Sequence, residues 1–299
     1  MACDNIRAAG GYRKNILDLW GRDMRLWLKQ IQYLLWLLVA TPGVLHAEGE
    51  ITLGVLPYVT AGKMVEFHTP LKNYIAERLG RPVALITAPD FLDFVERTGK
   101  HEYDLILTAP HFGRLAERRD GYQFVVQTLN EIQAAFLVRK DSDIQRLEDL
   151  KGKRIMVAQP ISMMYQLSIG TLEKKGLVPG KNITIIEART NNNALSAPLR
   201  DEADAGVTGI LLWGLATGEQ KEQLRLIGTS PSMPGFVLMA HKRISKQDVA
   251  RLRKALLAFH ATPQGEAYFA ATGLKGFGLS DAATMNSLDP YTRVLTQKH

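Results

Sequence analysis

The residue types that most often carry out catalysis are present in this sequence but scattered. None of the seven histidines lies at the spacing that places two metal ligands on one helix face. The closest carboxylates are flanked by polar residues, which favours a solvated surface over an acid–base pair; they are Asp90, Asp93, Asp201, Glu202 and Asp204. No GxSxG elbow, P-loop or HExxH motif is present. We therefore expect no enzyme, no metal site and no cofactor.

Small and hydrogen-bonding residues instead follow the apolar runs that are typical of β-strands. In open α/β sheets, ligands bind beyond the carboxyl ends of the strands, so these segments are the candidate contacts of a binding site. They are Pro57-Tyr58, 108–111, 159–162, 190–193 and Thr208-Gly209. Ten candidate ligand-binding residues lie in these segments and at the helix starts behind them: Tyr58, Pro110, His111, Gln159, Ser162, Met163, Tyr165, Asn191, Asn192 and Thr208.

The side chains of these candidates suggest specific contacts with a small solute. Tyr58 could stack on it or donate its hydroxyl, and His111 could act as a donor or be a capping or packing residue. Ser162 and the helix start behind it could meet an anionic or carbonyl group. Met163 and Met164 either line a more apolar pocket or face the core. The remaining neutral hydrogen bonds are expected from Asn191, Asn192 and Thr208.

Alternating strands and helices are needed to position these segments. The order strand, helix, strand, helix, strand over residues 51–107 predicts a parallel sheet with helices on both faces. Thr69-Pro70 is expected to begin the first of these helices, and Gly80 to end it.

A second series of strands and helices is expected from about residue 154, preceded by a longer strand over Glu131–Arg139. Leu224–Gly228 and Gly235–Ala240 are expected to be strands that return toward the first unit. The expected organisation is an upstream segment and signal peptide over 1–47, a first lobe over 48–130, a second lobe over 131–229, and a return to the first lobe with C-terminal helices over 230–299.

The N-terminal segment has the features of an export signal. Basic residues precede an apolar run of about a dozen residues, and a small residue, Ala47, follows it, which predicts secretion to the periplasm with cleavage after that residue. Met24 is a possible true start of translation. For the apolar run, a buried core helix and an uncleaved membrane anchor are the alternatives to a signal peptide.

The net charge of +7 includes six basic and three acidic residues of 1–47. The rest of the chain therefore has 31 basic and 27 acidic residues, a net charge of +4. This mild, unclustered charge argues against nucleic-acid binding.

Several motifs in order resemble one family of transport receptors. They are Val55-Leu56-Pro57-Tyr58, the Pro70-Leu71-x-x-Tyr74-Ile75 helix, 103–110 (YDLILTAP), 147–154 (LEDLKGKR), Asp204-Ala205-Gly206-Val207 and Thr262-Pro263-Gln264-Gly265. Over residues 50–275 this pattern resembles the PhnD-like phosphate/phosphite/phosphonate-binding proteins of ABC transporters. The resemblance implies a type II periplasmic binding protein: two α/β lobes, a hinge of two crossing strands and a ligand cleft between the lobes.

The same resemblance implies a function, partners and an oligomeric state. The expected function is a periplasmic, monomeric, non-enzymatic receptor that closes on a small polar or anionic solute, phosphonate- or phosphite-like in this family, and presents it to a membrane permease. The alternative is a sensory receptor of the same fold that signals through a separate membrane histidine kinase or cyclase. Family members that bind phosphonate carry a Ser-Thr-Ser-Gly-like run at the second lobe's helix start, where this chain has Ser162-Met163-Met164-Tyr165.

Overall fold

The computed structural model describes residues 49–295, which form two lobes built around two β-sheets; the predicted export signal lies outside these residues. The strands are β1 Ile51–Val55, β2 Val83–Ile86, β3 Leu105–Thr108, β4 Tyr122–Thr128, β5 Ala134–Arg139, β6 Arg154–Ala158, β7 Thr184–Ala188, β8 Ala205–Gly209, β9 Leu224–Thr229, β10 Val237–His241 and β11 Phe277–Gly278. The helices are α1 Ala61–Leu79, α2 Phe91–Gly99, α3 Pro110–Arg119, α4 Met163–Glu173, α5 Asn191–Ser196, α6 Ile210–Gly214, α7 Gly218–Gln223, α8 Lys246–Leu257, α9 Pro263–Thr272, α10 Ala282–Asn286 and α11 Asp289–Thr292. Within the described part of the chain, no helix has the length and apolarity needed to cross a membrane.

The first lobe contains a six-stranded sheet in the order β11-β4-β10-β3-β1-β2. β1 pairs in parallel with both β2 and β3, with Leu53 opposite Leu105. β10 enters from far along the sequence and lies antiparallel between β3 and β4. The parallel pairing predicted for the strands of residues 51–107 is therefore confirmed, whereas the apolar pattern predicted neither the antiparallel position of β10 nor the strand β4. Except for half-buried Thr52 of β1, the residues of β1, β3 and β10 are buried, since helices cover both faces of the sheet.

The second lobe contains a five-stranded sheet in the order β7-β6-β8-β5-β9. β6 pairs in parallel with β7 and β8, whereas β5 lies antiparallel to β8 and β9. The expectation that Leu224–Gly228 returns to the first unit is wrong, because this segment belongs to β9 beside β5. The expected returning strand at Gly235–Ala240 is present as β10.

Helix α1 begins before the predicted start at Thr69-Pro70. It runs from Ala61 to Leu79, with Pro70 inside it and Gly80 in the left-handed conformation at its end. The buried stripe explains the early start, since Met64 and Phe67 precede the proline at helical spacing and continue the same face. Pro70 lacks an N–H for the preceding turn, and the Thr69 hydroxyl donates to the Val65 carbonyl one turn earlier (2.6 Å).

Two crossing segments and the C-terminal end connect the lobes. Residues 129–133 leave the first lobe and 230–236 return to it, and Ile132 and Met233 exchange two backbone hydrogen bonds where these segments pass (both 2.8 Å). After β11 the chain crosses again, because Met285 and Leu288 are buried in the hydrophobic core of the second lobe. Arg114 of α3 donates to the Asp289 carboxylate (2.7 Å), which ties this C-terminal segment to the first lobe as well.

Candidate ligand-binding site

A cavity lies between the two lobes, with about 760 Å³ of unfilled space including the part open to solvent. Residues from the first lobe, the second lobe and both crossing segments form its wall. They are Leu56, Tyr58, Phe91, Ala109, His111, Phe112, Thr128, Asn130, Glu131, Ile132, Gln133, Ser162, Met163, Met164, Asn191, Gly209, Ile210, Leu211, Leu212, Leu215, Gly235, Phe236 and Leu274. A cleft between lobes that are joined by a hinge is a common site for small molecules.

His111 is held at the first turn of α3 and bridges the lobes. Ala109 precedes the helix and Pro110 occupies its first position, which suits the fixed backbone of proline. The His111 Nε2 lies 2.9 Å from the Ile161 carbonyl oxygen of the second lobe. A carbonyl only accepts, so Nε2 carries the proton, and burial lowers the pKa of His111 to about 4. The nitrogen that remains, Nδ1, has no partner and is an acceptor rather than the donor expected from sequence.

Tyr58 presents its ring to the cavity while its hydroxyl is engaged in the core of the first lobe. The hydroxyl lies 3.0 Å from Nε2 of His68, whose Nδ1 is 3.2 Å from the Tyr268 hydroxyl. Burial lowers the pKa of His68 to about 3, so the imidazole is neutral between two tyrosines. The Tyr58 ring packs beside Phe236 with centroids 5.2 Å apart. Of the two expected contacts, stacking remains available to a ligand.

Ser162 and the two methionines behind it form the helix start that faces the cavity. The Ser162 Oγ accepts from the Tyr165 backbone N–H (3.1 Å), so it caps α4. Met163 and Met164 are both buried. They belong to the core of the second lobe and also line the cavity, so both interpretations of these residues hold.

Five of the ten predicted site residues line this one cavity, and five do not. The lining residues are Tyr58, His111, Ser162, Met163 and Asn191. Pro110 is buried in α3, and Tyr165 and Asn192 are half-buried in α4 and α5. Gln159 follows β6 and Thr208 lies within β8, and each has a buried side-chain oxygen without a partner.

The side chains around the cavity carry little charge. Among its lining residues, Glu131 in the first crossing segment carries the one charge, and it is exposed. Within residues 49–295, no lysine or arginine belongs to the wall. The same described range contains no group of three metal-ligating side chains.

Sequence reasoning missed the crossing segments and helix α6 as parts of the site. Asn130, Ile132 and Gln133 lie between strands that belong to different sheets, so only the pairing of those strands brings them to the cavity. Leu211 and Leu212 follow β8 directly. The apolar run after a predicted strand end was the one signal available for them.

The lobes are in contact across the cavity. Leu211 and Leu212 of the second lobe pack against the hydrophobic core of the first. A Cβ atom on Gly273 of the first lobe would lie 3.0 Å from Leu211 and 3.6 Å from Leu215. Together with the bond from His111 to Ile161, these contacts describe a closed arrangement of the two lobes.

Comparisons with known proteins agree with this architecture. A family described as ABC transporter, phosphonate, periplasmic substrate-binding protein matches residues 53–285. A binding-protein component of an ABC phosphonate transporter from Pseudomonas aeruginosa shares 19% identity, with a TM-score of 0.72 over 82% of this chain and 87% of that one. PhnD1 from Prochlorococcus marinus in complex with methylphosphonate shares 15% identity and a TM-score of 0.74 over 82% and 98%. The alkanesulfonate-binding protein SsuA from Xanthomonas axonopodis pv. citri, bound to MOPS, shares 17% identity and a TM-score of 0.60 over 84% and 95%. The predicted type II periplasmic binding protein fold is confirmed.

Proposed function

Because the chain belongs to the family of periplasmic substrate-binding proteins of phosphonate ABC transporters, we propose that it captures a small solute between its lobes and delivers it to a membrane permease. The observation that carries this proposal is the cavity whose wall is shared by both lobes and both crossing segments. A ligand that touches both lobes stabilises the closed state over an open one and so shifts the population toward closure.

The crossing segments supply the hinge in this proposal. Residues 129–133 and 230–236 are short and joined by the backbone pair of Ile132 and Met233, so a few dihedral changes there would separate the lobes. Opening would break the His111–Ile161 hydrogen bond and withdraw Leu211 from the first lobe.

The five predicted residues that line the cavity are proposed as direct contacts. Tyr58 offers a ring face, His111 an acceptor nitrogen, Met163 a thioether and Asn191 an amide, while Ser162 fixes the helix start. The other five predicted residues are proposed to support these contacts from neighbouring positions: Pro110, Gln159, Tyr165, Asn192 and Thr208.

Export and a passive role complete the proposal. The segment 24–47 would act as the signal peptide and deliver a monomer to the periplasm. The mass of the protein recovered from the periplasm would show directly that this segment has been removed. The family is one of transport proteins rather than enzymes. The sensory alternative has no observation in its favour.

The experiment measures lobe closure by distance. Cysteines placed at exposed Asn73 in the first lobe and exposed Glu173 in the second, with Cys3 replaced by serine, carry a pair of spin labels or fluorophores. Phosphonates, phosphite, sulfonates, amines and amides are then added in turn. The proposal predicts a saturable change in the label distance with at least one of these solutes.

Two leucine variants control for binding in the cavity. Leu215→Trp fills part of the wall and should weaken any closure at least tenfold, whereas Leu226→Trp, at a similarly exposed position outside the wall, should not. Closure by no solute, or equal effects of the two variants, would contradict the proposal.

A further inference from the structure

The wall of the cavity is mainly apolar on both lobes. Phe91 and Phe112 face it from the first lobe and Phe236 from the second crossing segment, and the second lobe contributes two methionines and the leucines of α6. Thioethers and aliphatic side chains adapt to irregular apolar groups but offer no strong hydrogen bond. A small dianion placed here would lose its hydration without a compensating charge, which is costly.

Several polar groups in the wall that could donate are engaged within the protein, although the Ser162 hydroxyl, whose oxygen accepts from the Tyr165 N–H, keeps its own O–H for a ligand. The Asn130 side-chain N–H donates to the Gly273 carbonyl (3.0 Å), and that of Gln133 donates to the Ser230 carbonyl (3.1 Å). The single N–H of His111 is used on Ile161. No cationic side chain of residues 49–295 replaces these donors in the wall.

Acceptors, in contrast, remain free in the wall. The His111 Nδ1 and the Asn191 Oδ1 are buried and have no partner, while the Thr128 hydroxyl, also unpartnered, can act either way. Glu131 adds a carboxylate at the exposed edge. Buried polar atoms without partners are uncommon in folded proteins, and a ligand that donates to them would satisfy them.

We propose that the solute taken by this cavity is largely apolar, is not an anion, and carries an N–H donor, as a hydrophobic amine or amide does. This inference rests on the proposed function and names the ligand class for the same cavity. The apolar body of the solute would occupy the space between the aromatic rings and the methionines. Its N–H group would donate to His111 Nδ1 and Asn191 Oδ1, with Glu131 favouring a positive over a negative charge.

The test is calorimetric titration of the protein exported with its own N-terminal segment and purified from the periplasm. Titrants share a phenylethyl, cyclohexylethyl or hexyl body and differ in head group: primary amine, primary amide, methyl ether or phosphonate; methylphosphonate serves as the small anion. We expect the amine or amide of at least one body to bind about tenfold more tightly than the ether and the phosphonate of that body, because only it pairs the buried acceptors.

Each outcome decides the inference. Phosphonates that bind as tightly as the amines and amides, or tighter, overturn the ligand class, and an ether that matches the amide overturns the donor requirement. If a phosphonate binds and closes the lobes, the proposed function stands and only the ligand class is lost. If no titrant binds and no solute closes the lobes, the proposed function fails, and this inference fails with it.

Two matched pairs of variants test the named acceptors. Asn191→Leu should lower the affinity for the amide about tenfold and leave the ether unchanged, whereas Asn73→Leu, at an exposed position outside the wall, should change neither. Glu131→Gln should lower the affinity for the amine about twofold to fivefold and spare the amide, since an exposed charge contributes modestly. Glu66→Gln is its exposed control. Equal effects within either pair remove that residue from the proposal.

Discussion

Acidification should weaken this fold because two buried histidines are neutral in it. Burial lowers the pKa of His111 to about 4 and that of His68 to about 3. In the unfolded chain both return to about 6.5. Between these values the unfolded state binds protons that the native state does not, so the free energy of unfolding falls as the pH is lowered from about 7 toward 4.

The size of this loss follows from the two pKa values. Each histidine removes about 2 kcal/mol between pH 7 and pH 5, so His68 and His111 together remove about 4 kcal/mol from the free energy of unfolding. That is a large part of the ~5–15 kcal/mol typical of folded domains. His241 acts in the same direction, because burial also lowers its pKa. Asp104, whose pKa is held low by the Thr52 N–H and Arg243 despite partial burial, titrates below this window.

A single substitution isolates the part due to His111. In His111→Gln the new amide can still donate to the Ile161 carbonyl but cannot take up a proton in this range. Urea unfolding followed by circular dichroism at pH 5, 6 and 7 should show a pH-dependent loss about 2 kcal/mol smaller than in the wild type. Asn73→Gln, at an exposed position without a titratable side chain, should leave the wild-type dependence unchanged. If His111→Gln keeps the full loss, the neutral buried imidazole is not the cause and the reasoning is refuted.

Three further predictions concern packing and are checked by the same unfolding measurement at neutral pH. Gly113→Ala should destabilise by about 1–3 kcal/mol, because its Cβ would overlap Cγ2 of Val237. Gly170→Ala inside α4, where nothing lies within 4 Å of the new Cβ, should instead stabilise by about 0.5–1 kcal/mol. Leu288→Ala should cost about 2–5 kcal/mol, since this C-terminal side chain is fully buried in the core of the second lobe, while Leu279→Ala, 65% exposed, should cost little. A silent Leu288→Ala would show that the C-terminal segment does not contribute to that core.

Local patterns predicted the elements of the fold better than their partners. Alternation of apolar strands and helices was sufficient for an α/β protein with two units, and the family resemblance identified its type. The antiparallel position of β10 between β3 and β4 depends on a contact across more than a hundred residues, which no local periodicity encodes. For the same reason, the sequence of Leu224–Gly228 predicted a strand but not the sheet to which that strand belongs.

The candidate site was predictable only where it follows strand ends. Tyr58, His111 and Asn191 come directly after strands or at the next helix start, and all three line the cavity. Asn130 and Gln133 belong to a crossing segment and reach the wall through the hinge. Their side chains carry no sequence signal that distinguishes them from ordinary loop residues.

The chemistry of the cavity depends on which atoms remain after the protein has made its own hydrogen bonds. By residue type, Tyr58, His111 and Ser162 offer hydroxyl and N–H groups suited to a polar or anionic solute. In the structure these groups have protein partners: His68 for the tyrosine hydroxyl, the Ile161 carbonyl for the imidazole N–H, and a helix N–H for the serine oxygen. What remains for a ligand is a ring face, an acceptor nitrogen, thioethers and the serine O–H, in a wall without a cationic side chain, so the same residues favour an apolar solute that donates.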